Sequence, residues 1–183
     1  MTMNLVSNFD VAVLTVLKQE GFYVNDGFDS GGPTNFGVSL HLLQKQKEIN
    51  RYGQLNYDFD CDGDIDADDI AFLKKHDAIK IYREVWWDKY GYDSIPDKDL
   101  ATKLLSLAVN MGQKQAVTCL QRALTCLGHR IKEDGVMGIK TLSAVRDSNK
   151  DMLMVSFKSE AAGFYRSLNK GMYIAGWLKR AYA

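Results

Sequence analysis

The sequence predicts a mainly α protein of α+β type: a helical bundle lobe with a small irregular or β lobe near the front. Two apolar stripes carry the helical half of that expectation. Leu100, Leu104, Leu107, Ala108 and Met111 share one helix face, and Ala116, Leu120, Ala123, Leu124 and Leu127 share the next, closed by Gly128. The front of the chain differs, because residues 21 to 37 are rich in glycine and turn formers. At 183 residues and 46% hydrophobic, the chain can bury one core or two closely packed lobes. No Ser/Gly/Pro-rich linker and no long internal repeat divides it.

Ser7 and Asp10 mark a helix start, with the Asp10 carboxylate in the favourable first turn. Phe9, Val13, Val16 and Glu20 follow on one stripe, and Gly21 can end the helix in the left-handed conformation. Residues 21 to 37 read as turns with a short hairpin. Residues 38 to 51 read as helix, an aspartate run interrupts, and "IAFLKKH" resumes the pattern. The aromatic stretch Ile79 to Tyr90 reads as a helix ahead of a turn at Tyr92 to Asp97. Residues 138 to 147, 150 to 169 and 172 to 182 supply the remaining helices. These elements divide into a region 1–95, with the aspartate segment 56–76 as an insertion, and a helical region 96–183 packed against it as one unit.

Lys plus Arg balances Asp plus Glu at 23 each, so no global field favours nucleic acid or a membrane surface. Residues 150 to 183 carry six basic and two acidic side chains, which reads as solvated helix surface or as a face for an anionic polymer. Three cysteines, an odd number, argue against a disulfide scaffold. Cys119 and Cys126 lie two helical turns apart, roughly 10 Å along the axis, too far to bridge. Both read as small core residues made in a reducing cytosol. The N-terminus lacks a positive n-region and its apolar run contains Asp10, so no cleaved signal is expected. No uninterrupted apolar stretch reaches about 18 residues, so no membrane insertion is expected.

The aspartate run fits the calcium-loop pattern. Asp58, Asp60 and Asp62 take positions 1, 3 and 5, Gly63 the sharp turn at 6, Asp64 position 7, Ile65 position 8, Asp66 position 9 and Asp69 position 12. Carboxylates of Asp58, Asp60, Asp62 and Asp69 would bind the ion, Asp64 would offer its backbone oxygen, and Asp66 would act through water. Seven aspartates within 12 residues repel one another unless a divalent cation neutralises them, which points to Ca2+. Asp69 is one methylene shorter than the usual glutamate, and "YGQLNY" makes a poor entering helix. Both features resemble the dockerin-type loop more than a paired EF-hand sensor, and a single loop suits a structural ion. The plainer alternative is an acidic solvated loop.

Glu20 ends a greasy helix and faces "GFYVNDGFDSGGPTNFGVS". A carboxyl half-buried against apolar groups has a raised pKa, which suits a general acid near neutral pH. Asp29 and Thr34 follow. Cleaving a glycosidic bond needs one protonated carboxyl for the leaving oxygen and a second group that stabilises the cation or positions water. Glycines let the backbone approach a sugar chain and turn Asp29 back toward Glu20. On composition alone the alternative stays open, with Glu20 a helix-end surface residue and Asp29 a turn former.

The stretch "EGFYVNDGFDSGGPTNFGVS" resembles the opening motif of glycoside hydrolase family 108: Glu-Gly-Gly-aromatic, Asn-Asp, then Asp-x-Gly-Gly-x-Thr-x-aromatic-Gly. The likeness continues through "IYREVWWDKYGYDSIPD", "LAVNMGQKQAVTCLQRAL", "DGVMGIKT" and "AGWLKR". The last two resemble the peptidoglycan-binding-like C-terminal region of these proteins. The resemblance implies a lysozyme-like fold, with 1–95 as catalytic region and 96–183 as peptidoglycan-binding-like region. It also implies N-acetylmuramidase activity on bacterial peptidoglycan, as in phage endolysins, with Glu20 as catalytic glutamate. The Glu, Asp, Thr order is similar to the triad of phage-type lysozymes. Asp29 would then position water or stabilise charge, and Thr34 would assist. Phe22 replaces the usual second glycine, and the Asp29 to Thr34 gap is one residue shorter than in phage-type lysozymes.

An endolysin of this kind is expected to work as a monomer, made in the host cytoplasm and acting in the periplasm. A separate holin-like protein would permeabilise the membrane. Two other readings fit parts of the sequence: a lytic transglycosylase using a lone glutamate, and a non-catalytic calcium-dependent cell-wall or protein-binding module. Trp86, Trp87, Tyr90 and Tyr92 have a spacing that suits either helix core or sugar stacking. Asn110 either faces the cleft or caps a helix. His41, His76 and His129 form no metal-ligand spacing.

Overall fold

The computed structural model describes residues 7–20, 32–49 and 55–183, and of Glu20 the backbone alone. The chain is mainly helical, as the sequence predicts, and the described residues hold a small two-stranded sheet. They fall into two compact units: the chain up to Val16 together with Arg83–Ala183, and Leu17–Tyr82.

The first helix, α1 (Asn8–Glu20), starts where Ser7 and Asp10 cap each other. The Asp10 N–H donates to Ser7 Oγ at 3.1 Å and the Ser7 N–H to Asp10 Oδ2 at 3.1 Å. Donation from the Ser7 hydroxyl to Asp10 Oδ2 at 2.7 Å, and then from the Ser7 N–H, holds the Asp10 carboxyl below its usual range. Phe9, Ala12, Val13 and Val16 are each 1% exposed or less, so the apolar stripe is the buried face. Phe9 meets Trp87 edge-on at 5.4 Å, and the Arg83 guanidinium lies 4.0 Å above its ring.

In the Leu17–Tyr82 unit, β1 (Thr34–Asn35) pairs antiparallel with β2 (Val38–Ser39), Thr34 opposite Ser39. Phe36 (φ 50°) and Gly37 (φ 76°) form the turn, both left-handed, as a two-residue hairpin of matching twist requires. A phenylalanine pays for that conformation, and the Tyr82 hydroxyl braces it by donating to the Phe36 carbonyl at 2.9 Å. Then follow α2 (Leu40–Lys45), α3 (Ala67–Phe72) and α4 (Lys75–Tyr82). The helix expected over 38 to 51 is shorter at both ends. Val38 and Ser39 belong to the hairpin, where the Ser39 hydroxyl caps α2 by accepting from the Leu42 N–H at 3.3 Å, and Ile49 bridges to Leu55.

Beyond α4 the chain widens into π-helical turns at Arg83–Asp88 and then a 3-10 turn at Tyr92–Ser94, so the helix expected from Ile79 to Tyr90 is two pieces. Trp86, Trp87 and Tyr92 are buried, whereas Tyr90 is 36% exposed, which makes three of the four aromatics core. The Trp87 indole donates to Asp93 Oδ1 at 2.8 Å, and the buried Tyr92 hydroxyl donates to Gln113 Oε1.

The bundle consists of α5 (Lys98–Met111), α6 (Gln113–Cys126), α7 (Ile139–Asp147), α8 (Lys150–Ser167) and α9 (Gly171–Tyr182). Gly112 alone joins α5 to α6. Helix α6 packs on α5 and α8, and α9 on α8 and α5. Cys119 is buried, but Cys126 is exposed, contrary to expectation. It shares the Cys119 face but closes α6, where the core has run out. The "DGVMGIKT" loop opens α7 and is stapled by buried Gln121. Its Nε2 donates to Asp134 Oδ1 at 2.9 Å and the Val136 carbonyl at 3.1 Å, and its Oε1 accepts from the Gly135 N–H at 2.8 Å. At Gly135 (φ 73°) a Cβ would fall 2.7 Å from the Lys114 carbonyl oxygen, so glycine is required there.

Candidate active site and acidic loop

Glu20 is the last residue of α1, the helix whose Phe9, Val13 and Val16 stripe is buried. Its side chain lies outside the described residues, as does all of Asp29. Thr34 opens β1, half-buried, with its hydroxyl donating to the Gly32 carbonyl at 3.3 Å.

The acidic loop is organised around Asp69, 1% exposed. Asp69 Oδ2 accepts from the Asp66 N–H at 2.8 Å, and Oδ1 accepts from the Phe59 N–H. Asp66 in turn caps α3, accepting from the Asp68 N–H at 2.7 Å and from the Asp69 N–H, and the second of these bonds completes a capping box. Asp58 folds the loop back: Oδ1 accepts from the Cys61 N–H at 2.7 Å and Oδ2 from the Gly63 N–H at 3.0 Å. Carboxylate oxygens of Asp58, Asp60 and Asp69 lie within 4.8 Å of one another, as do those of Asp64, Asp66 and Asp69. The expected ligand Asp62 belongs to neither group; its Oδ1 accepts from the Asp64 N–H at 3.0 Å.

Partial desolvation and then the charges of Asp62, Asp69 and Asp58 push the Asp60 carboxyl up. For Asp64 the Asp62 charge is the largest cause. Mutual repulsion around a buried carboxylate, with oxygen donors only, fits a hard divalent cation such as Ca2+. None of the histidines belongs to a group of possible metal ligands among the described residues. His76 is exposed beside Asp77, and His129 Nε2 shares a hydrogen bond with Ser148 Oγ at 2.8 Å.

Two tethers that sequence reasoning missed fasten this loop within its unit. Gln44 Nε2 on α2 donates to the Ile65 carbonyl at 3.1 Å. Asn35 Nδ2 on β1 donates to the carbonyls of Ile70 and Leu73 at the end of α3. Asn110, near the end of α5, does not cap; its Oδ1 accepts from the Tyr165 hydroxyl at 2.7 Å.

The model of the glycosyl hydrolase 108 family matches residues 13–112, more than half of the chain. The chain belongs to this family. The match spans the end of α1 with Glu20, both strands, the acidic loop and all of α5. A second model, described as a predicted peptidoglycan domain, matches residues 115–182, which hold α6 to α9 except for Gln113 and Lys114 at the start of α6. Among solved structures, Brucella abortus SagA is similar at 26% identity and a TM-score of 0.69, over 95% of this chain and 93% of that one. Comparison with curated proteins gives no match. This member of glycosyl hydrolase family 108 thus joins a glycoside hydrolase region to a peptidoglycan domain. No helix among its described residues is long and apolar enough to cross a membrane.

Proposed function

We propose that the chain is an endolysin that hydrolyses the β-1,4 bond between N-acetylmuramic acid and N-acetylglucosamine in peptidoglycan. One observation carries this reading: a glycosyl hydrolase 108 match that takes in Glu20 runs almost directly into a peptidoglycan domain. Glu20 donates its proton to the glycosidic oxygen as the bond to C1 breaks. Asp29 faces the positive charge that develops on the sugar and holds the attacking water, which Thr34 helps to orient. The water oxygen adds to C1, and its proton passes to a carboxylate of the site.

Asp58, Asp60 and Asp69, whose carboxylates converge, would hold Ca2+ with the Asp64 backbone oxygen, and Asp62 would join them by turning its carboxylate away from the Asp64 N–H. The ion supplies neutralisation and cross-linking, not bond cleavage. Its support for the fold rests on the Gln44 and Asn35 tethers, the second of which starts beside Thr34. The enzyme acts as a monomer. It is made in the host cytoplasm and reaches the periplasmic cell wall after a separate holin-like protein of the phage permeabilises the membrane.

Mass spectrometry of digested sacculi tests the reaction. Reducing-end N-acetylmuramic acid supports muramidase hydrolysis. A 1,6-anhydro product would assign the chain to the lytic transglycosylases, and no released glycan would leave a binding module.

A further inference from the structure

Helix α9 carries two stripes with opposite fates. Ile174, Trp177, Leu178 and Ala181 recur at helical spacing and face inward, half-buried or buried, with Trp177 stacked on Tyr165 of α8 at 5.4 Å. Met172, Ala175, Gly176, Lys179 and Tyr182 share the other face, and all five are exposed. Met172 is 87% exposed and Tyr182 51%. The solvent face of a surface helix is ordinarily polar, yet this one carries a single charge, Lys179. A face so apolar marks a contact surface.

Charge identifies what meets it. Residues 161–183 hold four cations, Arg166, Lys170, Lys179 and Arg180, and no carboxylate side chain, in a chain of zero net charge. Around the end of α9, Lys103 donates to the Arg180 carbonyl, Lys158 to the Tyr182 carbonyl at 3.0 Å and Arg180 to the Ser106 carbonyl at 3.4 Å. A carbonyl satisfies a donor without cancelling its charge. A second copy of the chain would set these cations against their own equivalents, because a two-fold interface pairs a face with itself. A soluble polyanion would use the cations and leave Met172 and Tyr182 bare. An anionic bilayer uses both, with phosphates for the ammonium groups and a headgroup boundary for the thioether and the phenol.

We propose that the outer face of α9 docks the chain on an anionic phospholipid surface. Met172 and Tyr182 enter the headgroup layer, and Lys179 and the flanking Lys170 lie against lipid phosphates. The helix lies in the interface and does not cross it, since its 12 residues reach about 18 Å against a hydrocarbon core of roughly 30 Å. Docking of this kind is independent of which bond the chain cleaves.

Sedimentation of the full chain with vesicles tests this, with equal parts phosphatidylglycerol and phosphatidylcholine compared with phosphatidylcholine alone. Partitioning is expected on the anionic vesicles and should fall steeply with salt. Lys170→Gln combined with Lys179→Gln should weaken it about thirtyfold. Met172→Ser, which keeps every cation, should weaken it severalfold. A Cβ at Gly176 meets nothing within 4 Å, so the fold accepts a side chain there. Gly176→Asp, with a carboxylate at the centre of the face, should abolish partitioning while Gly176→Ala retains it, both at undiminished Tm. Equal partitioning on the two vesicle types, unaltered partitioning in Gly176→Asp, or none at low salt overturns the docking surface. Competition by polyphosphate in solution together with wild-type partitioning of Met172→Ser also overturns it and assigns the face to a soluble polyanion. Self-association in sedimentation velocity that Gly176→Asp abolishes would make the face a contact between copies instead.

Discussion

Asn35 donates its carboxamide to the carbonyl of Leu73 at 3.2 Å, with the Ile70 carbonyl a second acceptor at 3.1 Å. These carbonyls belong to the end of α3, where the helix has no further N–H groups to offer. One side chain of β1 therefore closes the helix that leaves the acidic loop.

Asn35→Ala should cost about 1–3 kcal/mol, because Asn35 is buried and its loss strands two carbonyls. Urea denaturation measures this; a loss below about 0.5 kcal/mol would mean that water replaces the amide.

Chelation of Ca2+ should lower Tm. With free ion at 100 times Kd, the stabilisation removed is about 2.7 kcal/mol. Asp69→Ala should abolish the response to chelator and destabilise further by stranding the Phe59 and Asp66 N–H groups. Identical melting with and without chelator in the unsubstituted chain would count against the ion.

Glu20→Gln should fold normally and lose at least ~3 kcal/mol of transition-state stabilisation, about a hundredfold in rate. Turbidity loss of permeabilised cells reads the rate, and substantial lysis by the variant would remove Glu20 from the mechanism.

Lys103 gives a dependence on pH. Its ammonium is buried, donating to the Arg180 carbonyl. Burial, then repulsion from Lys158 and Arg180, lowers its pKa from 10.5 to about 8. Between those values the unfolded chain keeps a proton that the folded chain has released, so this group's contribution rises as pH climbs from about 8 to 10.5. Unfolding free energies of the wild-type chain relative to Lys103→Met should diverge over that window. A constant difference would refute the assignment.

Two glycine substitutions separate strain from collision. Gly128 (φ 95°) has open space where a Cβ would stand, so Gly128→Ala should cost about 1 kcal/mol for backbone strain alone. At Gly135 the added methyl also meets the Lys114 backbone, and the cost should be at least twice as large. Equal losses in thermal melts would show that the loop yields freely.

What the sequence made legible is what repeats locally. The stripe of Leu100, Leu104, Leu107 and Ala108 is buried as its spacing requires, and Ser7 with Asp10 caps α1. The pattern at 58 to 69 was legible as an acidic loop with a glycine turn, but the capping of α3 by Asp66 and Asp69 was not. Residues 38 to 51 were misjudged because Val38 and Ser39 answer to partners across a hairpin, which helical periodicity cannot register. The Asn35 and Gln44 tethers reach 35 and 21 residues along the chain and leave no local trace. For the candidate site, the Glu-Asp-Thr order was visible, whereas the bond from Tyr165 to Asn110 required α5 and α8 to be brought together.

Gly112 is the whole of the connection between α5 and α6, and the two family regions meet beside it. Helix α5 buries its leucines in the same compact unit as α6 and α9. A graft that exchanged the second region for a foreign wall-targeting cassette would have to rebuild that leucine interface. Among proteins of this architecture, the second region should therefore diversify by substitutions on the exposed helix faces and not by shuffling of whole modules.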